Sequence, residues 1–438
     1  MTDVRAVAYE ALLAAEDGRS ITLTKDVLDK YSYLDRQSRS FLKILIEGVT
    51  ERRITLDYVI DCYSKISTSK MKKQIRVLLR MGTYQLLYMD GVAQFAAVNE
   101  TVRLTRKTGL SALSGFVNGV LRSIARHKDD IKWPSADTDL TEYMSVKYSC
   151  PKWIVDKLIR EQGRENAQTL LGSSVSVRNV TARVNLSQTT VEQALSECSG
   201  RASDVCKEVI ILDDFDTVPD IPAFANGSIC IMDTASALVG LLSGIRQDDT
   251  VIDLCAAPGG KSMHAADICT KGRVLSFDVS EKKVEKIREN IRRCGFGNVT
   301  AAVGDATVYD ETLYEKGDVV IADVPCSGLG VMGRKNDIKY GLTSDAIDDL
   351  VILQRAILDN AVKYVKPGGT LMFSTCTCSR EENEGNLSYL TDVLGMHTVD
   401  IYDLLPDMLK ADTATDGYVQ LYGKDGLTDG FFIARLTK

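Results

Sequence analysis

The stretch "VIDLCAAPGGKSMH", residues 251–264, decides how the second half of the chain folds. An apolar run ends at Leu254, a glycine-rich turn follows, and a helical segment opens near Lys261. Strand, glycine turn and helix together make the unit of a doubly wound sheet, and from about residue 233 that unit recurs. "RVLSFDV" leads into "SEKKVEKIRENIRRCG", and "VTAAVGD" follows. "DVVIADV" leads, after a loop, into "SDAIDDLVILQRAILDNAVKYV", and "GTLMFST" into "REENEGNLSYLTDVL". The tail closes on "DGFFIARL". This alternation predicts an α/β fold with a mostly parallel, Rossmann-like sheet over residues 233–438. Ligands of such sheets bind beyond the carboxyl ends of the strands.

Upstream the rhythm is different. Over residues 1–128, "VRAVAYEALLAAE", "RSFLKILIEGVTERRITLDYVIDCY", "KQIRVLLRMGTYQLLYM", "AVNETVRLTRK" and "GFVNGVLRSIARH" place apolar residues at three- and four-residue steps. That spacing predicts an all-helical domain. Residues 129–148, with Pro134 and a polar cluster, are expected to form a linker. Residues 149–232 read as a small α+β segment: a helix opening after Pro151, strands in "VTARVNL", "KEVIILDD" and "GSICIMD", and a capping box of Thr189 with Glu192 before "VEQALSEC".

Composition narrows the function classes. With 45% hydrophobic and 26% charged residues, the 438-residue chain is ordinary for a globular protein. It has no apolar run of 18 residues and no export signal at its start, so no membrane span and a cytoplasmic location are expected. Eleven irregularly spaced cysteines do not make a disulfide framework. Three histidines without ligand spacing, and a Cys-x-Cys with no second pair, argue against a metal. The net charge of −7 argues against indiscriminate nucleic-acid coating, yet residues 1–130 carry 21 Lys and Arg against 15 Asp and Glu. Two acid-free runs lie there: Lys65, Lys70, Lys72, Lys73, Arg76 and Arg80, then Arg103, Arg106, Lys107, Arg122, Arg126 and Lys128. Their alternative readings are solvated helix faces and a nucleic-acid patch.

The chemistry-bearing residues fall at strand ends. The turn holding Gly259 and Gly260 permits close backbone approach to a ligand. It is not a P-loop, because Cys255 stands where that motif needs glycine, and it is not a G-x-G-x-x-G turn. Asp278 ends the next strand, where an acid accepts from ribose hydroxyls, and Asp305 ends the third. A glycine turn with two successive acids suggests a nucleoside, and S-adenosylmethionine fits better than a dinucleotide. Two further ends carry thiols: "VVIADVPCSGLGVMGR" (319–334) has Asp323 and Cys326, and "LMFSTCTCSREENEG" (371–385) has Cys376 and Cys378. Thiol and carboxylate beside a nucleoside pocket suit methylation at a pyrimidine carbon. Cytosine C5 is a poor nucleophile until a thiolate adds at C6. Asp323 is placed to partner N3 if it is protonated. For each cysteine singly, the alternative is a small buried hydrophobe.

"DLCAAPGGK", "DVPCSG", "RKNDIKY", "STCTCSREENE" and "DGFFIARL" resemble the RNA cytosine-C5 methyltransferase family of bacterial Sun/Fmu type, and "AVNETVRL" and "GFVNGVLR" resemble NusB. The two-part arrangement resembles that family's small-subunit ribosomal RNA methyltransferases. The resemblance implies RNA as partner and a flipped or single-stranded cytosine as target. A monomer is expected. It assigns attack to Cys376 and product release to Cys326. It carries over Cys255, Ala256, Ala257, Pro258, Gly259, Gly260, Lys261, Asp278, Asp305 and Asp323 as S-adenosylmethionine contacts. The chain departs from the family pattern at Gly333 and Asn336, in the expected substrate loop. Two other functions stay open: methylation of transfer RNA, and a non-catalytic RNA-binding or antitermination factor.

Overall fold

A computed structural model describes residues 3–16 and 22–438. The chain divides into two units, Met1–Arg160 with Met332–Gly341, and Glu161–Val331 with Leu342–Lys438. The expected boundaries at 128, 148 and 232 are not where this division falls.

The first unit is helical: Val4–Glu16, Thr22–Lys30, Arg36–Glu51, Arg53–Tyr63, Lys73–Tyr88, Gln94–Lys107, Ser114–His127 and Leu140–Tyr148 are its longer helices. Leu42, Leu45, Leu56, Ile60, Leu78, Leu79 and Leu121 fill its core. The long helix read from Arg39 to Tyr63 is two helices, broken at Arg52, and Thr22–Lys30 was not foreseen. The expected linker is also more than a connection. Asp139 caps the helix Leu140–Tyr148 by accepting from the Glu142 N–H at 2.8 Å, and the Thr55 hydroxyl donates to the Val146 carbonyl at 2.6 Å. Ser149, at φ 51°, ends that helix and accepts from the Ile54 N–H at 2.9 Å. The segment Met332–Gly341 completes this unit. Lys339 Nζ and the Tyr340 hydroxyl both donate to the Glu51 carbonyl, at 3.1 and 3.0 Å.

The second unit holds two sheets. The smaller comprises β1 (Val180–Val184), β2 (Gly200–Ala202), β3 (Val209–Leu212) and β4 (Ile229–Ile231) in the order β2-β3-β1-β4, all antiparallel. Its helix Val191–Ser196 opens on a capping box one residue later than expected, from Thr190 to Gln193.

The larger sheet contains β5 (Thr250–Asp253), β6 (Arg273–Asp278), β7 (Val299–Val303), β8 (Gly317–Asp323), β9 (Val365–Thr375), β10 (His397–Thr398), β11 (Tyr418–Tyr422) and β12 (Gly430–Thr437). The order is β10-β12-β9-β8-β5-β6-β7, with β11 on β12. From β7 through β9 every pair is parallel, whereas β12 runs antiparallel to β9. Neighbours along a strand alternate between two cores. Val251, Ile321, Met372 and Ile433 face one, while Ile252, Val320, Leu371 and Phe432 face the other. Strands buried on both faces explain the unbroken apolar runs. The strand order reverses between β5 and β8, so their carboxyl ends flank a crevice at the switch point.

Candidate active site

The crevice is built from the segment after β5. Gly259 adopts φ 106°, and a Cβ there would sit 2.4 Å from the Met263 methyl. This conformation ends the turn and starts the helix Gly260–Ile268. The turn is tied to the next strand. Ala256 N–H donates to the Phe277 carbonyl at 2.8 Å, and Ala257 N–H to Asp278 Oδ2 at 3.1 Å. The Pro258 carbonyl accepts from Asn290 at 3.0 Å. Asp278 also pairs with Lys283 Nζ at 3.1 Å, so the acid foreseen as a ribose partner first holds the turn in place. Asp305 is exposed at the end of β7, and its Oδ1 accepts from the Thr307 N–H and hydroxyl at 2.9 and 2.7 Å, capping its own loop. Cys255 is half-buried, and burial and the surrounding aspartates push its thiol up, which makes it a poor nucleophile.

Lys261, on the first turn of that helix, reaches across to β8. Its Nζ lies 2.7 Å from Asp323 Oδ2, and it sits 5.4 Å from the centre of the Phe431 ring. Burial alone would lower its pKa, but the charge of Asp323 outweighs this and raises it, with Asp253 and Cys376 adding to the effect. Asp323 Oδ1 accepts from the Ser374 hydroxyl at 2.7 Å. Asp323 and Ser374 stand opposite each other in the β8–β9 register. Both oxygens of Asp323 thus accept hydrogen bonds, one from a cation. This is the hydrogen-bonding arrangement of a carboxylate, so the condition under which Asp323 would donate to N3, that it be protonated, is not the one its partners favour.

Asp253, the last residue of β5, went unread in the sequence. It is 1% exposed, its Oδ2 accepts from the Ser262 hydroxyl at 2.6 Å, and its Oδ1 has no hydrogen-bond partner. Burial pushes it up to about 6. An unsatisfied buried acceptor suits the ammonium of an amino-acid-bearing ligand. A glycine turn at a helix N-terminus suits that ligand's carboxylate. The residues present therefore fit S-adenosylmethionine.

The two thiols meet one strand further on. Cys326 and Cys376 follow the ends of the adjacent parallel strands β8 and β9, with Sγ atoms 3.1 Å apart, and the Cys376 N–H points at Cys326 Sγ at 3.3 Å. Both are half-buried. The hydrogen bond to Cys376 raises the Cys326 thiol well above its ordinary range, and burial, an ionised Cys376 and the Glu382 charge push the same way. Cys378 fits the alternative open to any single cysteine, a small buried hydrophobe. It is fully buried, with Gln420 Nε2 3.1 Å from its sulfur.

Gly330 packs beneath this pair. Its N–H donates to the Cys376 carbonyl at 3.0 Å, and a Cβ there would lie 1.9 Å from the Gly430 carbonyl oxygen. Glu382, Asn383 and Ser374, all fully buried polar residues around the thiols, were also missed. The only sequence signal for Glu382 and Asn383 was a polar run after a buried strand, and Ser374 lies within β9 itself. Among the described residues no cluster of three His, Cys, Asp or Glu is arranged to hold a metal, and no helix is long and apolar enough to cross a membrane.

In the helical unit the acid-free runs divide. Arg80 is buried, bonded to Glu16 and Asp57 at 2.6 Å each, and Arg76 also pairs with Glu16. Lys65, Lys70, Lys72, Arg106, Arg122 and Arg126 are exposed.

Comparison with known proteins agrees with this architecture. Residues 241–437 match the family model described as 16S rRNA methyltransferase RsmB/F, and residues 2–126 match the NusB family. A probable ribosomal RNA small subunit methyltransferase B of Bacillus subtilis is 33% identical, covering 100% of this chain and 99% of its own. The ribosomal RNA small subunit methyltransferase B of Vibrio cholerae is 28% identical over 100% and 98%. In fold, the crystal structure of PH0851 matches with a TM-score of 0.80 at 22% identity, covering 100% of this chain and 99% of that one. NSun6 from Pyrococcus horikoshii with SFG matches at 0.58 and 22%, over 66% and 98%. Identity of 33% over the full length of this chain, together with the two family-model matches, places the chain in the S-adenosylmethionine-dependent 16S rRNA methyltransferase RsmB/F family.

Proposed function

We propose that this chain methylates C5 of a cytosine in small-subunit ribosomal RNA through a covalent bond between Cys376 and C6 of the base. The observation that carries the reading is the pair of sulfur atoms 3.1 Å apart at the ends of β8 and β9, beside Lys261 and Asp323. The names of the full-length relatives support the RNA class.

S-adenosylmethionine, when bound, supplies a methyl group on a sulfonium whose leaving group is a neutral thioether. Cys255 to Lys261, Asp278 and Asp253 would hold it, with Asp305 at the rim. The chain's own residues do the rest. The Cys376 thiolate, beside the Lys261 ammonium, adds to C6, and the displaced electron pair builds up at C5. Asp323 keeps lone pairs beyond those used by Lys261 and Ser374, and accepts from N3 when that atom takes a proton from water, a proton N3 gives back as the ring is restored.

The two thiols divide the work through their mutual influence. While Cys376 is ionised, its charge and hydrogen bond hold the proton on Cys326. Once Cys376 is a neutral thioether its share of that hold is gone, only burial and Glu382 still oppose ionisation, and Cys326 passes its proton to water more readily. The Cys326 thiolate then takes the C5 proton, the S–C6 bond breaks, and its electrons return to Cys376. One proton reaches solvent for each methyl transferred.

Two variants test the reading. Cys376→Ala should bind S-adenosylmethionine and transfer nothing. Cys326→Ala should accumulate a covalent RNA adduct, visible as a slow band on a denaturing gel. Turnover by Cys376→Ala would remove it from the attacking role. Absence of the band would remove Cys326 from release. Mapping 5-methylcytosine in ribosomal RNA with and without the protein tests the substrate.

A further inference from the structure

Behind the thiols lies a carboxylate that touches no reacting atom in the scheme above. Glu382 is fully buried. Its Oε1 accepts from the Ser327 N–H at 2.8 Å and from Gln354 Nε2 at 3.0 Å. Its Oε2 accepts from the Ser327 hydroxyl and, at 3.4 Å, from that of Thr377. Ser327 directly follows Cys326 and Thr377 directly follows Cys376, so one side chain grips both loops one residue past each sulfur.

The neighbours complete the grip. Gln354 also donates to the Pro325 carbonyl at 2.8 Å, on the other side of Cys326. Asn383 donates to the Thr377 carbonyl at 3.0 Å and accepts from the Thr375 hydroxyl, so it flanks Cys376 on both sides. Burying a carboxylate with no cation among these partners is costly, and an apolar side chain would fill the space without that cost. An anion is retained here for what it holds in register.

The geometry points to Glu382 as a positioning residue that sets the separation and facing of the Cys326 and Cys376 sulfurs through hydrogen bonds to the residue after each. Its catalytic consequence rests on the covalent reading above, but the positioning itself does not.

The test separates reach from charge. Glu382→Gln keeps the length and drops the charge. Its amide oxygen can face the Ser327 and Gln354 donors, and its amide N–H groups can meet the two hydroxyls, which rotate to accept. Glu382→Asp keeps the charge and withdraws it by one methylene, leaving buried donors unmet. Both full-length variants are treated with diamide, which oxidises the two thiols to a disulfide and is itself reduced to the hydrazine. The rate of the Cys326–Cys376 cross-link is read by mass spectrometry without RNA.

Positioning predicts cross-linking within about threefold of wild type for Gln and at least about tenfold slower for Asp. Methyl transfer should follow the same order, with kcat down about 100-fold for Asp, as for a misplacement near 1 Å. The KM for RNA and the Kd for S-adenosylmethionine should stay within about threefold. If Asp cross-links as fast as Gln, or Gln is as slow as Asp, the positioning role is overturned. If the cross-link order holds while methyl transfer ignores it, positioning stands and the covalent reading falls.

Discussion

Gly330→Ala probes the ground on which the thiols rest. The added Cβ would lie 1.9 Å from the Gly430 carbonyl oxygen, 2.5 Å from its carbon and 2.9 Å from the Cys376 oxygen. Ordinary contact begins at 3.4 Å, so the approach to Gly430 is 1.5 Å too close, and every atom met is backbone. No rotamer change relieves it. Either the start of β12 retreats or the turn carrying Gly330 lifts and takes the Cys376 carbonyl with it. Overpacking of this kind costs about 1–3 kcal/mol, and a backbone obstacle favours the upper end. That corresponds to a fall in Tm of roughly 5–10 °C. A shift of about 1 Å at Cys376 lowers the chemical step about 100-fold. The assay pairs thermal unfolding with single-turnover methylation well below both transitions. Gly297→Ala, where nothing lies within 4 Å, is the control and should change neither. A Gly330→Ala protein that melts within about 1 °C of wild type and methylates within about threefold would refute the close approach and the thiol placement derived from it.

Three further outcomes follow from the same geometry. Lys261→Met removes the cation 2.7 Å from Asp323 and near Cys376; methyl transfer should fall at least about tenfold, and alkylation of Cys376 at neutral pH should slow because less of it is thiolate. Asp253, pushed up from 3.8 to about 6 by burial, holds its proton in the folded state over a range where the unfolded chain has lost it. Its contribution to stability therefore falls as pH rises from about 4 to 6, by roughly 2–3 kcal/mol. Glu and His background cancels in a comparison with Asp253→Asn, so the Tm of the variant minus that of wild type should rise across this window and be flat above pH 7. Arg183→Met strands Asp267, now bonded at 2.6 Å to a fully buried guanidinium; urea unfolding should show a loss of about 3–5 kcal/mol.

Where a rule of period or punctuation applied, the sequence was legible. The helix Ser114–His127 carries a one-sided apolar stripe of Val117, Val120, Leu121 and Ile124, and the strands β5, β6 and β8 end on recognisable turns. The helix Thr234–Leu242 was missed because "TASALVGLL" is apolar all round, and seven of its nine residues are buried, so it has no polar face to set a period. β11 was missed because "YVQLY" sits in a tail with no flanking repeat. The strand-end rule found Asp323, Cys326 and Cys376, but not that two of them touch. That follows from β8 and β9 being parallel neighbours, with Asp323 opposite Ser374, a pairing between residues 51 apart in sequence. Glu382 escaped because a glutamate after a strand reads as solvent-facing until the loops it fastens are seen around it. Arg76 and Arg80 were left among cations of either a solvated helix face or a patch because their partners, Glu16 and Asp57, lie on other helices.

The excursion of residues 332–341 into the helical unit bears on how this protein can be dissected. Lys339, 1% exposed, is pushed down to about 8 by burial, and the Tyr340 hydroxyl touches both Glu51 and Ser149. A fragment starting after the N-terminal helices would return that lysine to water and unmoor ten residues of chain. The halves are therefore not interchangeable cassettes. A chimera that swaps the helical unit between relatives must import the matching 332–341 arc, because seat and occupant are encoded almost 300 codons apart.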